Sequence, residues 1–257
     1  MRRVMTSAAI DAEETRLLDG RVVCYQPRRG YRSAIDPILM QAAVPARPGD
    51  RVLDLGCGAG AAGLCLAHRV AGVTVTGLDI QEPLIALARE SATANGMADT
   101  ARFMAGDLLT PPDGIGAGAF DHVMANPPFQ KAGTSRPSPD PVKAMATVEG
   151  RAELADWVRT AARLVRGGGT VTFIHHGGRG DELADLMSAS LGAVTLQPVQ
   201  GKPGEERPGR MIAQGIKDAA ANSCRQAPLV LHEPGGDFSA PVDRILRGYA
   251  DIAINRP

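Results

Sequence analysis

Asp54-Leu55-Gly56-Cys57-Gly58-Ala59-Gly60 follows one short apolar segment and precedes a helix-forming one. Glycines at this spacing let a backbone approach a ligand closely. The helix beyond offers free N–H groups and a partial positive charge. Asp79 and Asp107 close two further segments of strand character, in Leu78-Asp79-Ile80 and Gly106-Asp107-Leu108. Singly, each acid is an ordinary turn aspartate. Jointly they read as acceptors at successive strand ends: Asp54 for a cationic amino-acid moiety, Asp79 for both hydroxyls of a ribose, Asp107 for an adenine amino group. Gly58-Ala59-Gly60-Ala61-Ala62-Gly63 also satisfies G-x-G-x-x-G, with Asp79 about twenty residues on, so a nicotinamide-dependent oxidoreductase is the competing reading. A pyrophosphate, however, would be repelled by Asp54 and Asp107. Ammonium, ribose diol and adenine occur together in S-adenosyl-L-methionine, which is the expected cofactor. Gly56, Gly58, Gly60, Ile80, Leu108 and Asn126 complete the expected contacts to it.

Asn126-Pro127-Pro128-Phe129 stands at the end of a fourth strand-like segment. Together with Asp54 to Gly60, this tetrapeptide resembles the amino-methyltransferases, which include adenine-N6, guanine-N2 rRNA and protein-glutamine N5 enzymes. An amino group conjugated to a ring or carbonyl is a poor nucleophile, because its lone pair is delocalised. Two acceptors on its hydrogens turn the nitrogen toward tetrahedral geometry and aim the lone pair. The resemblance assigns those roles to the Asn126 side-chain oxygen and the Pro127 backbone carbonyl, held by a stiff prolyl turn. Phe129 is expected to stack on the planar target, with Pro128 beside it.

These residues need a scaffold that brings several strand ends to one edge. Arg51–Leu55, Val73–Leu78, Ala101–Ala105, Phe120–Ala125, Thr170–His175 and Val194–Val199 read as six strands. They alternate with helices over Ala61–Val70, Pro83–Asn95, 148–166 and Glu182–Leu191. The pattern predicts an α/β fold, a doubly wound parallel sheet of the Rossmann-like class I methyltransferase type. Ahead of it, Asp19-Gly20 predicts a hairpin turn before a strand over Arg21–Gln26. Asp36-Pro37 predicts a helix capped by Asp36, with Pro37 at its first position. The expected organisation is an N-terminal hairpin and helix extension over 1–48 and a methyltransferase domain over 49–257. Residues 130–143 and 200–210 read as mobile surface loops.

The pre-sheet segment Tyr31 to Met40, then Lys143 to Thr147 and Phe238-Ser239, are similar to the tRNA1(Val) adenine-37 N6-methyltransferase family. That resemblance implies a tRNA partner, with rRNA as the alternative nucleic acid. Two features depart from the wider group: Phe129 replaces a common tyrosine, and Gln130 replaces the histidine frequent in guanine-N2 enzymes. About fifty residues precede the first core strand, fewer than the helical domain normal to glutamine enzymes. Charge does not announce RNA, since 28 basic residues balance 28 acidic ones. A local rim could still hold phosphates: Arg28, Arg29 and Arg32, with Lys131, Arg136 and Lys143 as substrate contacts. Cys24, Cys57, Cys65 and Cys224 show no zinc spacing, and His175-His176 point to opposite strand faces, so no metal is expected. Met1-Arg2-Arg3 runs into Asp11, Glu13 and Glu14 without an apolar stretch. No signal peptide or membrane partner is expected, and the expected location is the cytoplasm.

Overall fold

The computed structural model describes residues 3–4, 11–28, 35–130 and 150–254. Strands β1 (Arg3–Val4), β2 (Ala12–Leu17) and β3 (Val22–Pro27) form a small antiparallel sheet. Leu18, Asp19 and Gly20 turn the β2–β3 hairpin with positive φ at all three positions. Helix α1 follows at Asp36–Ala43. The main sheet then collects β4 (Arg51–Leu55), β5 (Thr74–Asp79), β6 (Ala101–Ala105), β7 (Phe120–Ala125), β8 (Val165–His176), β9 (Gly192–Gln200), β10 (Arg210–Ile216), β11 (Ser223–Arg225) and β12 (Leu229–Val230). Its order is β11-β9-β10-β8-β7-β4-β5-β6, with β12 also on β9. Helices α2 (Ala61–Arg69), α3 (Glu82–Ala94), α4 (Leu154–Leu164), α5 (Gly180–Ser188) and α6 (Ala240–Leu246) complete the chain.

Strands β6, β5, β4, β7 and β8 are mutually parallel. The expected doubly wound sheet is present, with one strand outside the expected pattern: β10 inserts antiparallel between β8 and β9. The segment Met211–Ile216 is buried throughout, so it lacks the in–out alternation that marks a strand in sequence. Gln214 sits inside it, donating to Ala43 O at 2.8 Å and to Thr172 Oγ1 at 2.9 Å. Arg210, read as part of a loop, opens that strand.

Alternate residues of each central strand feed separate cores. Val52 and Val75 pack with α1, α2 and α6, whereas Leu53, Leu55 and Val123 pack with α4 and α5. Helix α3 buries Leu84, Ile85, Leu87, Ala88, Ser91 and Ala92 on one stripe. Helix α4 buries a stripe of Leu154, Trp157, Val158, Ala161 and Leu164, but it is shorter than the expected 148–166. A capping box between Glu153 and Asp156 starts it, and Val165 already belongs to β8. Asp36 is not a helix cap either: Ile35 holds that position. The Asp36 carboxylate is instead buried in an ion pair with Arg210. Burial pushes its pKa up, and the Arg210 charge pulls the other way.

Helix α3 also carries the hairpin. Ser91 Oγ accepts from Tyr25 N at 2.9 Å, while Asn95 accepts from Val23 N at 2.9 Å and donates to Val23 O at 2.6 Å. Side chains thus pair the backbone of β3 that has no neighbouring strand there. This places Gln26 and Pro27 over the carboxyl edge of the main sheet. No helix among the described residues is long and apolar enough to cross a membrane.

Candidate active site

In a doubly wound sheet the crevice opens beyond the carboxyl ends of the strands, where the strand order reverses. Here that point lies between β4 and β7, and a cavity of about 430 Å³ opens there. Its wall holds Asp54 near the end of β4, Gly56 and Gly58 from the turn that follows, Asp79 at the end of β5 with Ile80 beyond it, Asp107 and Leu108 after β6, and Asn126, Pro127, Pro128 and Phe129 after β7. Gly60 stands apart from it, at the start of α2 with its Cα facing Phe103 and Ala88. Lys131, Arg136 and Lys143, like Arg29 and Arg32, fall outside the described residues.

Hydrogen bonds to neighbouring strand ends fix the glycine turn. Leu78 O accepts from Gly56 N at 2.7 Å and from Cys57 N at 3.1 Å. The Asp79 carboxylate accepts from Gly58 N at 2.8 Å and from Gln81 N at 2.9 Å. Gly56 has φ +75°, and a Cβ there would meet the Trp157 ring at 2.5 Å. Only glycine meets both conditions, so α4 reaches the turn through the indole.

Asp54 is 2 % exposed. One oxygen accepts from Gly63 N at 3.0 Å, which ties the strand to the first turn of α2. Desolvation raises its pKa to about 7, opposed by the Gly63 amide and reinforced by the Asp79 charge. Asp79 is also pushed up, again chiefly by burial, with amides of Gln81 and Gly58 pulling it down. Two crowded, desolvated carboxylates favour a ligand bearing positive charge and hydroxyl donors. Asp107 is more open: it accepts from Leu109 N at 2.9 Å and meets the exposed Arg151 guanidinium at 3.4 Å. Ile80 is 53 % exposed at the rim, an apolar face available to a flat ring.

Several wall residues carry no local signal in the sequence. Gln26, Pro27, Met40, Leu84, Arg151 and Trp157 reach the cavity from the hairpin, α1, α3 and the approach to α4. Behind the tetrapeptide lies His175, fully buried on β8, with Nε2 3.3 Å from Pro128 O and its ring 5.2 Å from that of Phe129. Burial, then the Arg179 charge, lowers its pKa to about 4. His176, by contrast, accepts from Gly178 N at 3.1 Å and caps the short turn that follows. Among the described residues no group of acids, histidines and cysteines is arranged to hold a metal.

Residues 36–147 match the family described as methyltransferase small domain. The chain is a methyltransferase. A tRNA1(Val) (adenine(37)-N6)-methyltransferase from Aeromonas hydrophila is 28% identical over 214 residues, covering 82% of this chain and 87% of that one. A release factor glutamine methyltransferase from Chlorobaculum tepidum is 28% identical over 153 residues, covering 56% and 52%. Among solved structures, a predicted O-methyltransferase, protein Atu636 from Agrobacterium tumefaciens, aligns with a TM-score of 0.71 and 26% identity over 86% of this chain and 99% of that one. This methyltransferase therefore has the S-adenosylmethionine-dependent, Rossmann-like class I fold, and the nicotinamide reading of its glycines is left without support.

Proposed function

We propose that the methyltransferase methylates an exocyclic amino nitrogen, adenine N6 in tRNA, using S-adenosylmethionine. One observation carries this reading: the Asn126–Phe129 turn and the acids Asp54, Asp79 and Asp107 line a single cavity. The acids fit a ligand with an ammonium, a diol and an amino-bearing ring, and Ile80 and Leu108 fit the faces of that ring. Gly56 and Gly58 bring backbone close to it. When bound, the donor supplies a methyl group already activated on a sulfonium, so the chain needs no strong general base. Asn126 and the Pro127 carbonyl accept the hydrogens of the target amine, and Phe129 and Pro128 hold its plane. Positioning of this kind accounts for much of the acceleration. The Aeromonas relative, similar across most of the chain, supports tRNA as the acceptor. A basic rim of Arg28, Arg29, Arg32, Lys131, Arg136 and Lys143 would hold its phosphates. Residues 1–48 would then act as an extension over the cavity of the 49–257 catalytic domain.

A second reading, a protein glutamine amide as acceptor, is favoured by the Chlorobaculum relative and fits the same planar amine chemistry. Tritiated S-adenosylmethionine and separate pools of undermodified tRNA, rRNA and protein from a deletion strain distinguish the two. The expected result is label in tRNA, recovered as N6-methyladenosine after digestion. Label in protein moves the target to glutamine, and label in rRNA moves it to the ribosome. The Asn126→Ala variant should lose about 100-fold or more in turnover, well beyond any loss in its affinity for S-adenosylhomocysteine. Wild-type turnover in that variant would overturn the role of the tetrapeptide.

A further inference from the structure

Two atoms of the proposed amine clamp, Asn126 Oδ1 and Pro127 O, belong to a turn whose stiffness is only partly its own. Prolines fix φ at 127 and 128, yet the peptide plane after Pro128 and the rotamer of Phe129 are not set by proline geometry. Both are met by one side chain from the next strand. His175 lies on β8, parallel to β7, with Ala125 paired opposite Phe173. Two residues further along each strand, the His175 ring and the tetrapeptide are therefore side by side. Nε2 lies 3.3 Å from Pro128 O, and the ring meets Phe129 edge-on at 64° and 5.2 Å between centroids. An edge-to-face pair at this separation is attractive and directional. A carbonyl partner requires the hydrogen on Nε2, so the contact selects one tautomer.

We propose that His175 is a positioning residue for the acceptor half of the site: it grips the Pro128 carbonyl and the Phe129 ring from behind and sets the plane on which the target amine is held. It touches neither donor nor acceptor, and it is absent from the cavity wall. The proposal rests on the tetrapeptide being the acceptor site, but it does not depend on which acceptor is used. The charges felt by the ring, Arg179 first and then the His176 side chain, oppose a second proton on it, while backbone hydrogen bonds with Pro128 and His176 favour one. Its burial against the turn also opposes that proton, so the imidazole works as a neutral donor throughout the physiological range.

The test has two arms. In nitrogen-15 histidine spectra of the wild-type protein, His175 should show a single Nε2–H tautomer that does not titrate between pH 5.5 and 8. A ring titrating near the ordinary histidine value, or holding its proton on Nδ1, overturns the grip, whatever the protein methylates. The second arm compares His175→Leu with His175→Gln on whichever pool wild-type protein labels. The leucine variant should lose roughly fivefold to tenfold in kcat, the worth of one neutral hydrogen bond. Its KM for S-adenosylmethionine and its affinity for S-adenosylhomocysteine should stay at wild-type values. Glutamine, which restores an N–H near the Nε2 position, should recover part of kcat. An unchanged kcat in the leucine variant overturns the positioning role, and so does a loss shared equally by donor affinity. If wild-type protein labels none of the pools, the functional reading fails separately, and the spectra decide the grip alone.

Discussion

Lowering the pH should weaken donor-site binding through Asp54, and the size of the effect follows from its burial. In the free protein Asp54 titrates at about 7, where an unperturbed aspartate titrates at 3.8. A folded pKa raised in this way contributes stability that is complete below pH 4 and lost as pH rises through 7. Three units correspond to about 4 kcal/mol, an upper figure for the cost of ionising Asp54 where it sits. A ligand ammonium beside the carboxylate would offset that cost and return the pKa to the ordinary range or below. Binding at pH below 7 must then expel a proton. The dissociation constant scales as one plus the ratio of protonated to ionised Asp54, so from pH 7.5 to 5.5 affinity should fall by on the order of tenfold. The ligand's own ammonium stays largely charged across that window. Calorimetry with S-adenosylhomocysteine in buffers of different ionisation enthalpy should detect close to one proton released at pH 6. Asp79 is raised by burial too and its charge acts on Asp54, so Asp54→Asn is needed to isolate the group. That variant should bind more weakly at pH 7.5 and lose most of the pH dependence. Flat affinity in the wild type, with no proton release, would mean that Asp54 meets no cationic group and serves only to hold the Gly63 amide.

Two further outcomes test the frame around the site. Gly56→Ala places a methyl 2.5 Å from the Trp157 ring at a φ of +75°, and it should cost about 2 kcal/mol or more; a thermal midpoint within a degree of wild type would show that the turn and indole can part freely. Arg28→Glu combined with Arg29→Glu should weaken tRNA binding and flatten its log–log salt dependence by about two. Arg28 is already met by Asp11 at 3.4 Å, so an unchanged tRNA affinity would remove the hairpin end from the rim.

What the sequence made legible is what is local in sequence. The acids at 54, 79 and 107 and the tetrapeptide at 126 each sit within two residues of a strand end. A strand's end and its turn chemistry are read from the same few residues, and the parallel order then brings those ends together. Where a residue's role is decided by a distant partner, its type alone misleads. Asp36 before Pro37 has the form of a helix cap, yet its charge is spoken for by Arg210, 174 positions on. Asn95 before Gly96 has the form of a helix stop, and it does end α3, but its side chain pairs β3 across 72 positions. His175 is just the last residue of an expected strand until Pro128, 47 positions earlier, is placed against it. In each case a polar side chain is wholly or partly buried by tertiary contacts, and burial obliges it to find a partner that no local rule can name. The same obligation explains why β10 escaped notice: flanked by strands and covered on both faces, it satisfies its hydrogen bonds without showing a polar side. The residues at the strand ends that line this cavity can therefore be found from sequence, while the residues that hold them in place are found only where the strands lie next to one another.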